Sequence, residues 1–430
     1  MRRLIGWVGR FATSLLLRRV EVADLDRLPR GRPVLLVANH FNGFVDPLVI
    51  TSALGRLPRF VAKDALRAVP GLGLVMRAAG VVFVRRREDS PAEGSRVANE
   101  DAFAECHRAL VERDVVAIFP EGTTHDRPRM DPIKTGAARI ALGGRAAGAA
   151  DLVVVPVGLT FPDKVALRAS ALVQIGEPIS VDAVVAPGVG ADDGDAVRAL
   201  TGAIERGLRA VSQDFPDVET ALALEQGAQI ALSSERDPDP SLEDRYELAR
   251  ALSRAPAADQ EAVRRDVGRY TTLLTGLQLT DADVITPTSP RRLLRSAVGI
   301  AVLVLVLGSV VAATAVVNVW PALLVALVSL VVRTPVTKGT VRVLLGLVAF
   351  PVAWITAANL TADGFLPVTG LVITMAVGAL AAVWLVERAL AMAFMLLRWR
   401  AQLERIASIG QAEALRAEVV ATVRRAGGVT

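Results

Sequence analysis

The sequence contains few of the residues that disulfides, metal sites and nucleic-acid surfaces require. Its 430 residues include one cysteine, three histidines and two tyrosines. A single cysteine excludes an internal disulfide, and no cluster of histidine and cysteine has the spacing of metal ligands. Basic and aromatic residues do not alternate along the chain, so nucleic acid is not a predicted partner. We therefore predict a chemistry that uses no metal and no cofactor.

Apolar residues, in contrast, are abundant. They make up 52% of the chain, which carries a net charge of +5 and has a mean hydropathy of +0.42. The excess lies mostly after residue 295, and it indicates a membrane protein. Because basic residues flank the apolar segments, anionic membrane lipid is a predicted partner.

Four apolar segments follow residue 295, at about 296–316, 319–332, 341–360 and 366–386. The first, third and fourth are long enough to span a hydrocarbon core of about 30 Å, and the second is short enough to be re-entrant. Basic residues precede, separate and follow the two pairs: Arg291, Arg292, Arg295, Arg333, Lys338, Arg342, Arg388, Arg398 and Arg400. The turns near Asn318 and at 359–363 contain no lysine or arginine. The positive-inside rule predicts a multi-pass protein of the cell membrane with its N-terminal domain on the cytosolic face.

Residues 2–19 form a further apolar pattern at helical spacing. Large apolar side chains alternate with arginines: Trp7, Val8, Phe11, Leu15 and Leu16, with Arg2, Arg3, Arg10, Arg18 and Arg19. This pattern is typical of an amphipathic helix that lies on a membrane surface. The alternative is a helix packed on the catalytic domain.

Residues 31–180 alternate apolar runs with helical patterns and predict an α/β domain around a central, mostly buried sheet. Strands are predicted at 34–38, 60–62, 81–84, 115–119, 152–158 and 171–175, and helices at 47–54, 92–112 and 135–143. We predict five segments: a surface helix and lead-in (1–30), this α/β domain (31–180), a helical extension (181–290), membrane-embedded helical hairpins (291–400) and a cytosolic helical tail (401–430).

Two polar motifs follow predicted strands of this domain, the position where α/β proteins place their chemistry. His40 and Asp46 follow the run 34–38, and Pro-Glu-Gly follows the run 115–119 at residues 120–122. A neutral imidazole can take a proton from a hydroxyl while a carboxylate orients it and stabilises the imidazolium. No protein nucleophile accompanies the pair, so we predict that the substrate supplies the hydroxyl. A turn or capping contact is the structural alternative.

Four blocks of this region, in order, resemble the glycerolipid acyltransferases, the superfamily of lysophosphatidate and glycerol-3-phosphate acyltransferases. They are His40-x5-Asp46, Gly80-Val81-Val82-Phe83-Val84-Arg85, Phe119-Pro120-Glu121-Gly122 and an apolar run around Pro156. The first block is one residue longer than the usual His-x4-Asp, and Thr124 stands where the third block usually has arginine. These departures, with His125-Asp126, resemble the fungal-type glycerol-3-phosphate/dihydroxyacetone-phosphate acyltransferases.

The resemblance implies catalytic roles for His40 and Asp46. It implies substrate contacts for the other block residues, to which we add Lys63: Lys63, Gly80, Phe83, Arg85, Glu121, Gly122, Thr123 and Pro156. Arg85 could hold a phosphate through a bidentate contact. An exposed basic cluster with Arg86 and Arg87, a solvated Lys63, a turn role for Glu121 and an edge-strand proline at 156 are the structural alternatives.

The predicted function is an O-acyltransferase that moves a fatty acyl chain from acyl-CoA or acyl-carrier protein to glycerol-3-phosphate. Lysophosphatidate is the alternative acceptor. A transporter built on the C-terminal segments is a rival of another class, but those segments contain almost no ionisable residue before Glu387, whereas transport paths usually require some. The intact histidine–aspartate pair argues against a third alternative, a catalytically dead lipid-binding scaffold.

Overall fold

The chain folds into two compact units. A computed structural model describes residues 1–69, 72–85, 94–125, 127–163, 168–361, 367–404 and 406–428. The first unit comprises Met1–Asp214 together with Thr334–Thr340, and the second comprises Phe215–Arg333 and Val341–Thr430. This division differs from the predicted five segments, because residues 181–214 and the short segment at 334–340 belong to the first unit.

The first unit is built on a mixed sheet that has eight strands in the described residues. The strands are β1 Leu17–Ala23, β2 Val34–Ala38, β3 Arg59–Lys63, β4 Val82–Val84, β5 Val115–Ile118, β6 Val153–Thr160, β7 Ala169–Ile175 and β8 Ile179–Ser180. Their order is β1-β7-β6-β2-β5-β3-β4, with β8 also paired to β6. Strands β6, β2, β5, β3 and β4 run parallel, so their carboxyl ends meet at one edge of the sheet.

Seven helices of the described chain accompany this sheet. They are α1 Arg2–Leu16, α2 Val45–Leu54, α3 Leu72–Ala78, α4 Gly94–Val111, α5 Gly136–Ala146, α6 Val181–Val184 and α7 Gly194–Val211. Every residue of β2 and β6 is buried. Parallel strands covered on both faces read as continuous apolar runs, which is why the sequence revealed them. The predicted α/β class with a mostly buried sheet is confirmed.

The first helix ends earlier than predicted. Residues 17–23 form β1, which pairs in parallel with β7, so the predicted helix over 2–19 is too long and the lead-in is part of the sheet. The small residues of α1 face inward: Gly9, for example, leaves room for Leu48, 3.4 Å from where its Cβ would stand. Leu4 and Trp7 on the outer side are 60% and 57% exposed. One face of α1 is therefore packed, and the other is an open apolar surface.

The second unit is helical. Its helices in the described residues are α8 Val218–Leu232, α9 Leu242–Ser253, α10 Ala257–Leu277, α11 Asp281–Ile285, α12 Pro290–Val331, α13 Pro335–Thr361, α14 Val368–Glu404 and α15 Ile406–Gly427, the first turn of α13 belonging to the first unit. The last helix packs into a core with α8 and α10. Arg416 of α15 binds the Asp281 carboxylate at 2.9 Å and donates to two carbonyls at the end of α8. The predicted separate tail is thus part of the helical extension.

Three apolar helices of the described chain, α12, α13 and α14, are long enough to cross a membrane. The expected turn near Asn318 is wrong, because Pro290–Val331 is one helix of 42 residues. Asn318 is 8% exposed; its amide donates to the Met375 carbonyl at 3.1 Å and accepts from Trp354 Nε1 at 2.8 Å. A polar side chain that joins three helices is a recognised form of helix association in membranes. From sequence, the same asparagine looked like a loop residue.

We predict that Gly158 of β6 is required for packing of α7 on the sheet. A Cβ at this position would overlap the carbonyl oxygen of Val211 at the end of α7. Overpacking typically costs about 1–3 kcal/mol, and each kcal/mol lowers the Tm of a unit of this size by about 2–4 °C. Gly158→Ala should lower the Tm in a thermal unfolding scan. The control is Gly190→Ala, where nothing lies within 4 Å of the new Cβ; equal Tm values for the two variants would contradict the prediction.

Candidate active site

The predicted pair, His40 and Asp46, is in direct contact. His40 follows β2 and Asp46 lies in the first turn of α2, and the imidazole Nδ1 is 2.8 Å from Asp46 Oδ2. The Asp46 side chain is fully buried, whereas that of His40 is 20% exposed. A carboxylate can only accept a hydrogen bond, so Nδ1 carries the proton and Nε2 has a lone pair available for a substrate hydroxyl.

The extra residue between His40 and Asp46 is absorbed by the turn before α2. Gly43 has a φ of 53°, a left-handed conformation that glycine adopts without steric cost. The Asn42 amide then donates to Asp46 Oδ2 at 2.9 Å, the same oxygen that binds His40. A five-residue gap is thus compatible with close histidine–aspartate contact.

The Glu121 carboxylate joins the loops that follow β2 and β5. One oxygen accepts the backbone N–H of His40 at 2.9 Å. The other accepts the backbone N–H of Asp131 at 2.7 Å and lies 2.9 Å from His125 Nε2. Glu121 is 2% exposed, and both oxygens are occupied by protein groups. The geometry therefore gives this residue a positioning role rather than the predicted direct contact with the acceptor.

Asn39 fixes the backbone immediately before His40. Its side-chain amide donates to the Leu159 carbonyl at 2.8 Å and accepts from the Leu159 N–H at 2.7 Å. Asn39 is completely buried, so this pair of bonds continues the contact between β2 and β6 past the end of β2. No local pattern indicates this pair of bonds, because Leu159 lies 120 residues further along the chain.

Aromatic rings support the imidazole. His40 stacks on Phe119, with ring centroids 4.1 Å apart and an angle of 16° between the ring planes. Phe119 in turn stacks on Phe60 of β3 at 6.2 Å. Flat stacking on one side, together with the Asp46 hydrogen bond, holds the ring in one orientation.

A basic group lies at the carboxyl ends of β3 and β4. Arg85 follows β4, and its Nε is 3.0 Å from Asp64 Oδ2, while Arg67 lies 3.7 Å from the other oxygen of Asp64. Lys63 is the last residue of β3 and is exposed. Two arginines pair with one carboxylate, and Lys63 precedes that carboxylate in sequence, so this edge of the sheet has more basic than acidic residues, as binding of a phosphate favours. Residues 86–90, which include Arg86 and Arg87, lie outside the described residues.

The remaining residues of the second and third blocks shape turns. Gly80 and Gly122 both have left-handed backbones, with φ values of 79° and 71°. Phe83 of β4 lies under the Arg67 guanidinium, 5.2 Å from the ring centroid. Thr123 is exposed beside Gly122, where a substrate could reach its hydroxyl.

Pro156 lies in a central strand, so its interpretation as an edge-strand proline is wrong. Strand β6 pairs with β8 at residues 153–154 and with β7 at 157–160, so the missing N–H falls between the two ladders. The ring packs beneath α7, 2.7 Å from where a Cβ on Gly207 would stand. This burial supports a packing role and gives no support to an acyl-donor contact.

Three side chains of the metal-ligand type converge beside the pair, namely Glu121, His125 and Asp131, within 4.8 Å of one another. The Glu121 oxygen of this cluster already accepts the Asp131 N–H and contacts His125 Nε2. The Arg127 guanidinium binds Asp131 Oδ2 at 2.6 Å, and a cation at this position would be repelled by it. We assign the cluster to loop positioning. His125, whose role the sequence left undecided, is a supporting residue here.

The single cysteine is not a candidate nucleophile. Cys106 lies on α4 in the core and is fully buried. Burial raises the pKa of its thiol to about 12, and the thiolate is the reactive form of cysteine. The structure therefore gives Cys106 a place in the core.

Comparison with known proteins agrees with this geometry. Residues 19–160, which include the β2 and β5 loops, match the family model described as Acyltransferase. The chain contains an acyltransferase-family domain. The matched region includes β1, which supports assigning residues 17–23 to the domain.

The acyltransferase domain is similar to several curated proteins. It is 32% identical over 136 residues to glycerol-3-phosphate O-acyltransferase 2 of Saccharomyces cerevisiae, which covers 31% of this chain and 18% of the yeast protein. It is 33% identical over 165 residues to lyso-ornithine lipid O-acyltransferase of Brucella abortus, covering 37% and 56%. For human 1-acyl-sn-glycerol-3-phosphate acyltransferase beta the identity is 31% over 140 residues, covering 32% and 48%. The chain thus spans between about a fifth and somewhat over half of these relatives' lengths.

The crystal structure of the 1-acyl-sn-glycerophosphate acyltransferase PlsC from Thermotoga maritima is also similar. The two chains are 21% identical, the TM-score is 0.36, and the match covers 49% of this chain and 78% of the other.

We predict that Glu121→Gln lowers turnover without unfolding the acyltransferase domain. The Glu121 carboxylate is contacted by three nitrogens: the backbone N–H groups of His40 and Asp131, and His125 Nε2. The glutamine side chain has an NH₂ group in place of one oxygen, so at least one of these nitrogens loses its acceptor. Losing a buried hydrogen bond to a charged group costs about 1.5–3 kcal/mol, which corresponds to a loss of about tenfold or more in kcat if it displaces His40. The measurements are kcat and Tm. Glu112→Gln, a change at a 67% exposed side chain, is the control, and unchanged kcat in Glu121→Gln would refute the positioning role.

Proposed function

We propose that this protein is a membrane-bound O-acyltransferase that transfers a fatty acyl chain from acyl-CoA or acyl-carrier protein to glycerol-3-phosphate. The observation that carries the proposal is the hydrogen bond between His40 and Asp46, with the imidazole 20% exposed and stacked on Phe119. A general base held in this way suits direct attack by a substrate hydroxyl.

In this mechanism His40 Nε2 takes the proton of the acceptor hydroxyl as its oxygen attacks the thioester carbonyl. Asp46 holds the imidazole by Nδ1 and stabilises the imidazolium that forms. The C–S bond then breaks, and the departing thiolate takes the proton back from Nε2. The products are an ester and a free thiol, and His40 returns to its neutral form.

The acceptor is proposed from the basic edge of the sheet. The base follows β2 and the group of Lys63, Arg67 and Arg85 follows β3 and β4, which are parallel to it. Strands lie about 4.8 Å apart, so β3 and β4 are about 10 and 14 Å from β2. We propose that the acceptor places its hydroxyl at His40 and that the long side chains of the basic group reach toward its phosphate. Lysophosphatidate carries the same phosphate and is the competing acceptor.

The outer face of α1 supports a position of the protein at the membrane. The open face of α1 carries Leu4, Trp7 and Val8, which are 60%, 57% and 38% exposed, beside the exposed Arg3. Apolar and basic residues on one helix surface favour binding to anionic lipid. We propose that α1 lies on the cytosolic leaflet and that α13 and α14 cross the membrane. The catalytic unit would then meet cytosolic acyl donors at the interface.

We expect kcat/KM for glycerol-3-phosphate to exceed that for lysophosphatidate by at least about tenfold, or about 1.4 kcal/mol in transition-state stabilisation. Purified protein in detergent is given one acyl-CoA and, in parallel, glycerol-3-phosphate, dihydroxyacetone phosphate, lysophosphatidate or lyso-ornithine lipid. The last acceptor has no phosphate and should be poorest if the basic group binds one.

The control for this comparison is His40→Ala, which should lose about 10²–10⁴-fold in turnover with every acceptor. A faster rate with lysophosphatidate would retain the mechanism and change the acceptor. Near-normal turnover of folded His40→Ala would refute the mechanism.

The orientation of α13 and α14 can be tested by labelling. Basic residues Arg333, Lys338 and Arg342 lie near the start of α13, whereas residues 359–367, around the connection to α14, contain none. The positive-inside rule therefore places this connection outside the cell. Because α12 has basic residues at both ends, the rule does not orient it.

We expect Thr361→Cys to react with an impermeant maleimide in intact cells, and Arg333→Cys to react only after permeabilisation. Both positions are exposed. The wild type is a suitable control, because Cys106 is fully buried and its burial raises the thiol pKa to about 12. The reverse labelling pattern would contradict a cytosolic catalytic unit.

A further inference from the structure

A short segment far along the chain contacts the loop that holds the catalytic pair. Thr334–Thr340 comprises the residue before α13 and the first six residues of that helix, and it belongs to the first unit. Its last two residues, Gly339 and Thr340, meet the turn between His40 and α2. From sequence, this segment was only a basic connection between two apolar runs.

The first contact is a hydrogen bond at the start of α2. The backbone N–H of Phe44 donates to Thr340 Oγ1 at 3.3 Å. Phe44 is the residue that precedes α2 and has no side-chain cap of its own. Amides at a helix start have no partner within the helix, so the Thr340 hydroxyl replaces a capping side chain. Asp46 is the second residue of α2, and the helix start therefore sets its position.

The second contact is a close approach of backbone to side chain. A Cβ on Gly339 would lie 2.8 Å from Asn42 Oδ1 and 3.7 Å from Val45 Cγ2. Asn42 is 3% exposed, so its side chain has little room to move away. Its N–H donates to Asp46 Oδ2, the oxygen that also binds His40. Any side chain at position 339 would therefore press on Asn42, whose backbone N–H binds the Asp46 carboxylate.

We infer that Gly339 and Thr340 are positioning residues for the His40–Asp46 pair. They act from outside the acyltransferase match at residues 19–160: Thr340 fixes the first turn of α2, and Gly339 leaves the space that Asn42 occupies. The start of α13 thus completes the loop that holds His40 and Asp46. This inference rests on the proposed role of His40 and is independent of which acceptor is used.

The test compares matched variants of the full-length protein in detergent, with glycerol-3-phosphate and palmitoyl-CoA as substrates. Thr340→Val removes the acceptor for Phe44, and Thr340→Ser keeps it. Gly339→Ala adds the Cβ that meets Asn42. The controls lie in the same helix: Thr337→Val at an exposed threonine, and Gly346→Ala, where nothing lies within 4 Å of the new Cβ.

We expect Thr340→Val and Gly339→Ala each to lower kcat about tenfold, as loss of a buried hydrogen bond or a displaced catalytic group would. KM for both substrates should stay within about twofold, because neither residue contacts a substrate. Thr340→Ser should recover kcat to within about threefold of wild type, and both controls should match wild type. Tm values identify any variant that fails to fold. If Gly339→Ala does so, the comparison of kcat between Thr340→Ser and Thr340→Val decides the result.

Three results would overturn the inference: kcat within twofold of wild type in both Thr340→Val and Gly339→Ala, a serine variant as slow as the valine variant, or equal losses in the two controls. His40→Ala is measured in parallel. If it is inactive while the 339 and 340 variants are normal, the inference fails and the proposed function stands. If His40→Ala is active, the proposed function itself fails.

Discussion

The rest of the site depends on the hydrogen bonds of the buried Glu121 carboxylate. In the register of β2 and β5, Val37 pairs with Ile118, so the residues three places further on, His40 and Glu121, come face to face. The carboxylate accepts the His40 N–H and holds the loop around His125 and Asp131 with its other oxygen. A buried charge is stable only when it is fully hydrogen-bonded, and here the two loops supply those bonds. The stacking of His40 on Phe119 and its contact with Asp46 follow from this arrangement.

Sequence reasoning found the elements that have a local signature. Continuous apolar runs located the buried strands, and the motifs after β2 and β5 located the base and its partner. It missed features that exist only when distant segments meet. Nothing near Asn39 indicates the Leu159 backbone 120 residues away, and nothing near Thr340 indicates Phe44. It also misjudged polar or rigid residues inside regular elements: Asn318 suggested a turn and Pro156 a sheet edge, because the groups that accommodate them come from neighbouring helices and strands.

Pairing and burial also separate catalytic roles from supporting ones. Glu121 and Pro156 belong to the motifs, yet both are buried among protein groups, and the geometry gives them structural work. Thr123 and Arg85, in contrast, are exposed. A motif residue is thus better assigned by where its polar atoms point than by its membership of the motif. Applied to this chain, that criterion leaves His40 as the group with an available proton-accepting atom, supported by Asp46.

The discontinuity of the first unit has a consequence for biosynthesis. Residues 1–214 leave the ribosome first, but the segment that caps α2 is made only after the 42-residue helix α12. The core of the second unit likewise needs α15, which is synthesised after α14. Neither unit has all of its residues until the apolar helix α12 has been synthesised. Order of synthesis therefore makes the loop around His40 and Asp46 one of the last parts of the first unit to be completed.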